Sequence, residues 1–257
     1  MTPNLTVLIT CKNEEKFIKK SISSILNQTY LNYELVIVDD NSTDNTVDII
    51  KSFNDPRIRF FELTKPIGRT KALNFGLKKS KGQFIAIQDG DDISIDIRLK
   101  SSMIIFEKNP EIELIGTKAE LIDQNDKYLG EYANEYFRKF DQKKLKVINF
   151  LPHTSFIFKK KFFYDEEYIY AQDYKMLLKF LLKSKIFVIK KKLVKIRIHK
   201  NSMSQDVKLS KLRLLEKINL LDYVQTNFKN SIIEKIKINF MRLKYNFILI
   251  MRFYLKN

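Results

Sequence analysis

Up to Asp92 the sequence alternates short, β-rich apolar runs with segments of helical periodicity, the pattern of βαβ units feeding a parallel sheet. Leu5 to Thr10 is an apolar run short enough for a buried strand. Ile18, Ile22, Ile25 and Leu26 then recur at helical spacing within Glu14 to Gln28. Glu34 to Val38 supplies a second buried strand, ending in Asp39-Asp40. Asn41, Ser42 and Thr43 carry helix-start chemistry ahead of Val47, Ile49 and Ile50. Arg57 to Leu63 reads as a third strand, Thr70 to Lys79 as a helix, and Phe84 to Gln88 as a fourth strand running into Asp89-Gly90-Asp91-Asp92. Beyond it the pattern predicts a helix over Asp96 to Lys108, closed by Pro110, and strands over Glu113 to Ile122 and His153 to Lys159. A helix over Tyr174 to Leu182 and a late strand over Lys195 to His199 complete it. The expected class is α/β, with a mostly parallel central sheet flanked by helices.

From about Asp206 the character changes: Gly and Pro vanish, and apolar residues mix with Lys and Arg to the end. Residues 206–257 hold eleven basic and four acidic side chains, a net of +7, so a C-terminal helical extension is expected there. Its longest uncharged run, Tyr245 to Met251, falls far short of the roughly 20 residues that span a bilayer. Such a tail either packs on the domain or lies along an anionic membrane surface. The expected division is 1–205 for the main domain and 206–257 for the tail, and 257 residues suit one α/β domain with an appendage.

The whole chain carries +17, from 47 basic and 30 acidic side chains. That excess calls for an anionic partner, whether nucleic acid, membrane or phosphorylated substrate, although genomic nucleotide bias produces the same lysine excess. The chain has no zinc-ligand spacing, no aromatic-glycine RNA-binding signature and no tryptophan, so no nucleic-acid partner is expected. A single cysteine, Cys11, excludes an intrachain disulfide framework. The N-terminus runs from Met1 into a strand without export-signal features, so the expected location is cytoplasmic, with peripheral attachment to the inner membrane face through the tail.

In open parallel sheets ligands bind beyond the carboxyl ends of the strands. Here those ends are acidic: Asp39-Asp40 after the second strand and Asp89-Gly90-Asp91-Asp92 after the fourth. Two carboxylates separated by one small residue offer hard oxygen ligands to Mg²⁺ or Mn²⁺, with diphosphate oxygens and water completing the shell. The same tetrapeptide also suits a plain Asp-Gly turn.

In order and spacing, a series of segments resembles the family 2 glycosyltransferases of the GT-A fold. They begin with Thr10-Cys11-Lys12-Asn13-Glu14-Glu15, Ser24 to Tyr30, and Glu34 to Asp44. Gly68 with Ala72-Leu73-Asn74 and Gly76 follows, then Lys81-Gly82 and Asp89-Gly90-Asp91-Asp92. His153-Thr154-Ser155, Gln172-Asp173-Tyr174 and Arg197 to Ser202 come last, so the likeness covers about residues 1–205.

The resemblance implies an inverting transfer of one sugar from a nucleotide-diphosphate sugar, a UDP-sugar above all, to an acceptor hydroxyl. The acceptor it implies is a glycan or a lipid-linked glycan of the cell surface, or a glycoprotein glycan. Thr10, Cys11, Lys12, Asn13, Glu14 and Asp40 would surround the nucleobase and ribose, with Gly68, Arg69, Lys71, Asp89 and Gly90 also on the donor side. Family members often carry an aromatic residue where Lys12 stands, so Lys12 would pair with phosphate instead. Asp91 would be the direct Mn²⁺ or Mg²⁺ ligand, joined by His199. Asp173 would be the base that takes the acceptor proton, although an Asp there also suits a helix N-terminus. Its family neighbour is usually a glutamate, where this chain has Gln172. Gln172 and His153 would lie on the acceptor side, and either histidine also suits a structural place. A sugar-phosphate nucleotidyltransferase is the nearest rival, but the Gly-rich, Arg-containing phosphate loop it needs after the first strand is absent.

Overall fold

The computed structural model describes residues 3–138, 141–200 and 210–253. Strands β1 (Leu5–Cys11), β2 (Tyr33–Asp39), β3 (Ile58–Glu62) and β4 (Phe84–Asp89) alternate with helices α1 (Ile18–Leu26), α2 (Thr46–Lys51) and α3 (Arg69–Lys79). Then come the two-residue β5 (Ile93–Ser94), α4 (Arg98–Lys108), β6 (Ile112–Ile122), β7 (Tyr128–Glu131), α5 (Asn134–Arg138) and β8 (Ile157–Lys159). Helix α6 (Gln172–Lys183), β9 (Lys185–Arg197), α7 (Ser210–Asn227) and α8 (Ile232–Phe253) complete the chain.

The described strands form one sheet in the order β3-β2-β1-β4-β8-β6-β9-β5, with β7 paired to β6. β1 to β4 are parallel, as are β6 and β9, while β8 runs antiparallel between β4 and β6. Every residue of β1 and β2 is buried, as expected of strands covered on both faces. Their two-residue side-chain period divides the core in two. Leu8, Val36, Val38, Ile85 and Ile87 face one way, toward α3, α6 and α7. Val7, Ile9, Leu35, Ile37 and Ala86 face the other, toward α1 and α4. Gly76 lets α3 lie directly on Leu8, and Gly82 lets the entry to β4 approach the β1 backbone, where a Cβ would stand 2.5 Å from the Thr6 nitrogen.

Three expected elements differ in the structure. The helix expected from Glu14 starts at Ile18, because the Glu14 and Glu15 amides donate outward, to Thr46 Oγ1 (2.7 Å) and Asp44 Oδ2 (3.2 Å). The strand expected over His153 to Lys159 is a 3₁₀ turn, His153–Ser155, followed by the three residues of β8. Ser155 Oγ donates to the Pro152 carbonyl (2.7 Å), which favours the turn over extension. The late strand begins at Lys185 rather than Lys195, and its lysines disguise it. Lys192 is paired across the sheet with Glu120 (3.0 Å) and Glu131 (3.4 Å).

Both tail helices pack on the domain. Leu220, Leu221 and Val224 of α7 and Ile238 of α8 are buried in the core that contains α3 and α6. Glu234 of α8 is ion-paired with Lys146 (3.0 Å), and Arg242 with Asp222 of α7. Among the described residues no helix is long and apolar enough to cross a membrane.

Candidate active site

Register sets the site. Cys11 lies beside Asp39, and Thr10 lies between Val38 and Asp89, so β1, β2 and β4 end level and their loops leave one edge together. The loops after β1 and β2 are laced to each other. Asn13 and Asn41 take left-handed backbone angles (φ 57° and 62°), the Asn13 amide donates to Ser42 Oγ (2.8 Å), and Asn13 Oδ1 accepts from the Thr43 amide (2.8 Å). Asp39, fully buried, accepts from the Ser42 amide (2.8 Å). Asp40 accepts from the amides of Ile67 (2.7 Å) and Gly68 (2.9 Å), which turns the chain into α3. Gly68 sits there at φ +87°, a conformation that glycine adopts without penalty. Each Asp40 oxygen keeps a second lone pair, but both oxygens already hold the loop.

Arg69, the first residue of α3, reaches back to the end of β4. Its Nη2 donates to Asp89 Oδ1 (2.5 Å) and lies 3.2 Å from His153 Nδ1. Burial pushes the His153 imidazole down to about 3, so it is neutral. Nδ1 then accepts from Arg69 while Nε2–H donates to the Tyr164 hydroxyl (2.8 Å). The 4.0 Å approach of His153 to Asp89 is therefore no ion pair. Burial acts to raise the Asp89 carboxyl, but the Arg69 cation outweighs it and holds the acid below the usual carboxylate range.

A second cluster adjoins the first. Glu14, Asp91 and His199 each present a ligand atom within 4.8 Å of the others, and His199 Nε2 lies 2.9 Å from Asp91 Oδ2. Burial, reinforced by Asp91, pushes Glu14 up to about 8. Two carboxylates and an imidazole fit a divalent ion such as Mn²⁺ by donor type, and such a charge would relieve the crowding of acids. Gly90 is buried, and its lack of a side chain serves packing: a Cβ would meet Cys11 Cβ at 3.2 Å and Glu14 Cγ at 3.4 Å. Asp92 is structural, accepting from the Arg197 amide (2.9 Å) at the end of β9.

Asp173 stands in the first turn of α6, half-buried, with Oδ1 accepting from the Tyr174 amide (2.7 Å) and Oδ2 from Asn149 Nδ2 (3.0 Å). Burial raises it to about 6, against the lowering effect of the Tyr174 amide and Arg69. Arg69 and Asp89 thus act electrostatically on both clusters and on Asp173.

The structure brings together Glu14, Arg69, Asp89, Asp91, His153, Asp173 and His199. The other expected positions lie differently. The Cys11 thiol is buried and turned into the sheet, 3.7 Å from the Val38 carbonyl, and Thr10 is buried beside it. Lys12 and Lys71 are exposed. Gln172 is buried, and its Oε1 has no hydrogen-bond partner among the described residues. Asn201 and Ser202 lie outside the described residues. A cleft of about 730 Å³ between α3, α6 and α7, lined by Lys78, Tyr164, Lys179 and Tyr223, contains none of the expected donor or metal residues.

Sequence reasoning missed Asn149, Tyr164, Arg98 and Glu216. Arg98 is fully buried beneath the Asp89 turn and donates to Ser94 Oγ (2.7 Å) and the Ile87 carbonyl (2.7 Å). Glu216, on α7, accepts from the amides of Ile169 (2.7 Å), Tyr170 (2.9 Å) and Ala171 (2.8 Å), just ahead of Asp173. Its only signal was being one of four acids among eleven bases in the tail.

Comparison with known proteins agrees with this architecture. The chain is 32% identical over 241 residues to an uncharacterized glycosyltransferase of Methanocaldococcus jannaschii, covering 89% of this chain and 81% of the relative. It is 37% identical over 121 residues to the Escherichia coli UDP-Glc:alpha-D-GlcNAc-diphosphoundecaprenol beta-1,3-glucosyltransferase WfgD, 47% of each chain. The Staphylococcus aureus TarS 1-349 structure in complex with UDP-GlcNAc superposes with a TM-score of 0.72 at 18% identity, over 94% of this chain and 71% of that one. The mannosyltransferase PcManGT of Pyrobaculum calidifontis, solved with GDP-Man and Mn²⁺, gives 0.69 at 16% identity, over 97% and 72%. These likenesses establish the GT-A fold. The Glycosyl transferase family 2 profile matches residues 6–166, more than half of the chain, and the protein belongs to that family of glycosyltransferases.

Proposed function

We propose that this glycosyltransferase moves one sugar, with inversion, from a UDP-sugar to a hydroxyl of a lipid-linked glycan in cell-surface polysaccharide synthesis. The observation that carries the reading is Asp173: a half-buried carboxylate raised to about 6, beside the Arg69–Asp89 pair at the strand ends. A base with that affinity is deprotonated at neutral pH and still accepts a proton readily. Asn149 fixes one oxygen and the Tyr174 amide the other, so the carboxylate is oriented before substrate arrives. The loops 10–14 and 40–43, with Gly68 and Lys71, line the nucleotide, Lys12 and Arg69 face its phosphates, and Asp89 orients Arg69.

Asp91, His199 and Glu14 would hold a divalent ion, which when bound offsets the charge of the departing diphosphate. The mixed nitrogen and oxygen set suits Mn²⁺ better than Mg²⁺, which demands a near-ideal oxygen octahedron. His153 and Gln172 belong to the acceptor side in this reading, His153 as the neutral link from Arg69 to Tyr164. Residues 1–205 form the catalytic unit, 206–257 the tail, and the enzyme works at the cytoplasmic face of a membrane. The diphosphoundecaprenol acceptor in the name of WfgD supports a lipid-linked acceptor here.

The test is release of nucleotide from a panel of nucleotide sugars with Mn²⁺, in the wild type and in Asp173→Asn. The variant should turn over about 10²- to 10⁴-fold more slowly. Near-normal turnover would remove Asp173 as the base, and no turnover or binding of any UDP-sugar would remove the donor assignment.

A further inference from the structure

Helix α8 has two apolar faces, and only one is used. Ile238 is buried in the domain core, with Met241 and Tyr245 packed against that core, and Leu249 is buried as well. On the opposite side Ile236 (62% exposed), Phe240 (66%), Leu243 (68%) and Phe247 (62%) follow one another at spacings of four and three residues. At 3.6 residues per turn they form a continuous outward ridge, extended by Ile232, Ile233 and Ile250. Exposed Lys237 and Lys244 run along one flank and Lys235 along the other. Of the other charges described on the helix, Glu234 is paired with Lys146 and Arg242 with Asp222 of α7. Among the described side chains the ridge is thus flanked by Lys235, Lys237 and Lys244, on a chain of net charge +17.

We propose that this ridge docks on an anionic lipid surface, with α8 lying in the interface plane and its lysines on the headgroups. Charge complementarity selects this occupant. A second copy pairing ridge to ridge would bring Lys237 and Lys244 against the same cations, whereas anionic lipid gains from each of them. The proposal goes beyond the transfer reaction and does not rest on the identity of the acceptor.

Sedimentation with phosphatidylcholine vesicles, with and without phosphatidylglycerol, tests it on the full chain. Wild type should pellet with the anionic vesicles and much less with the neutral ones. Phe240→Ser combined with Phe247→Ser should abolish pelleting with an unchanged melting temperature, since both side chains are exposed. Lys237→Ala with Lys244→Ala should weaken binding by roughly fivefold per lysine, which keeps the question answerable if the aromatic variant fails to fold. Unchanged binding in both variants overturns the proposal. So does a wild-type dimer that ignores vesicles and dissociates with the aromatic variant.

A different observation carries a second inference. Glu216 is 4% exposed and accepts three consecutive backbone amides, Ile169 to Ala171, directly before the first turn of α6. We infer that Glu216 is a positioning residue that sets Asp173 through this loop, an inference that rests on Asp173 being the base. Glu216→Gln keeps an acceptor oxygen and Glu216→Ala keeps none, so the loss of kcat should rank Ala above Gln above wild type. The alanine variant should lose about tenfold or more, toward the 10²-fold cost of a misplaced group. The KM for donor should hold, and the acid limb of the pH profile should leave its wild-type position. Lowered melting with kcat and pH profile unchanged would make Glu216 merely structural and overturn the inference. An Asp173→Asn enzyme of normal rate would instead fail the base assignment itself.

Discussion

Asp173 is half-buried and His153 buried in one site, and burial disfavours the charged form of each, which moves their pKa values in opposite directions. It raises Asp173 to about 6 and drives His153 to about 3, so at neutral pH the carboxylate is charged and the imidazole is not. The rate should therefore be flat above about pH 7 and fall roughly tenfold per unit below about 6, as the base becomes protonated. A kcat profile with no acid limb between about pH 5 and 7 would contradict that assignment. Neutral His153 predicts no second break near the ordinary histidine value, and His153→Gln should leave the limb in place. At the neighbouring cluster His199→Ala removes one of three donors, so the Mn²⁺ concentration that half-saturates a thermal-stability shift should rise about tenfold or more. An unchanged titration would place the ion elsewhere.

Strands β1, β2 and β4 were legible because a parallel strand buried on both faces is written as a largely apolar run, and the half-buried β3 through its β-rich residues. β9 was only half legible, since its middle is rich in lysine and Lys192 is paired with Glu120 of β6 and Glu131 of β7, pairings that one-dimensional periodicity does not carry. The segment from 123 to 152 gave no pattern, being built of short pieces such as β7 and α5 that tertiary contacts hold. The same division runs through the site. Acids at strand ends announce themselves by position, so Asp40, Asp89 and Asp91 were readable, but their division of labour was not. Asp40 holds the Ile67–Gly68 turn and Asp92 holds β9, roles set by neighbours distant in sequence. Asn149 bonds Asp173 across 24 residues, and Glu216 holds the loop ahead of it across 45 to 47, with no local signature. At this scale Gly82 makes a sharp prediction, because a Cβ there would press on the Thr6 nitrogen, backbone that cannot yield as a side chain does. Gly82→Ala should cost about 1–3 kcal/mol, a fall of roughly 3–10 °C in melting temperature. A wild-type melting curve would mean that β1 and the β4 entry separate freely.

The sheet carries a core on each face, and only one of them involves the tail. α1, α2 and α4 close the first without the tail, whereas α3, α6 and α7 share the second, and α8 reaches it mainly through Ile238. The two tail helices are therefore unequal. α7 commits Leu220, Leu221, Val224 and the triple acceptor Glu216 to the interior, while α8 leaves most of its large apolar side chains in solvent. A chain ending at Asn230 loses the burial of Ile238 and Leu249, about 1.5–3 kcal/mol each, against a total stability of roughly 5–15 kcal/mol. It should stay folded, melt about 10–20 °C lower, keep donor hydrolysis, and no longer sediment with anionic vesicles. A chain ending at Lys200 loses α7 as well, uncovering α6 and leaving the three amides just ahead of it without Glu216, so it should fail to fold cooperatively. The pair of truncations separates catalysis from docking. If the chain ending at Lys200 melted as sharply as wild type, the catalytic unit would fold without α7 packed on it. If the chain ending at Asn230 were unfolded, α8 would be a core helix whose outer ridge is incidental.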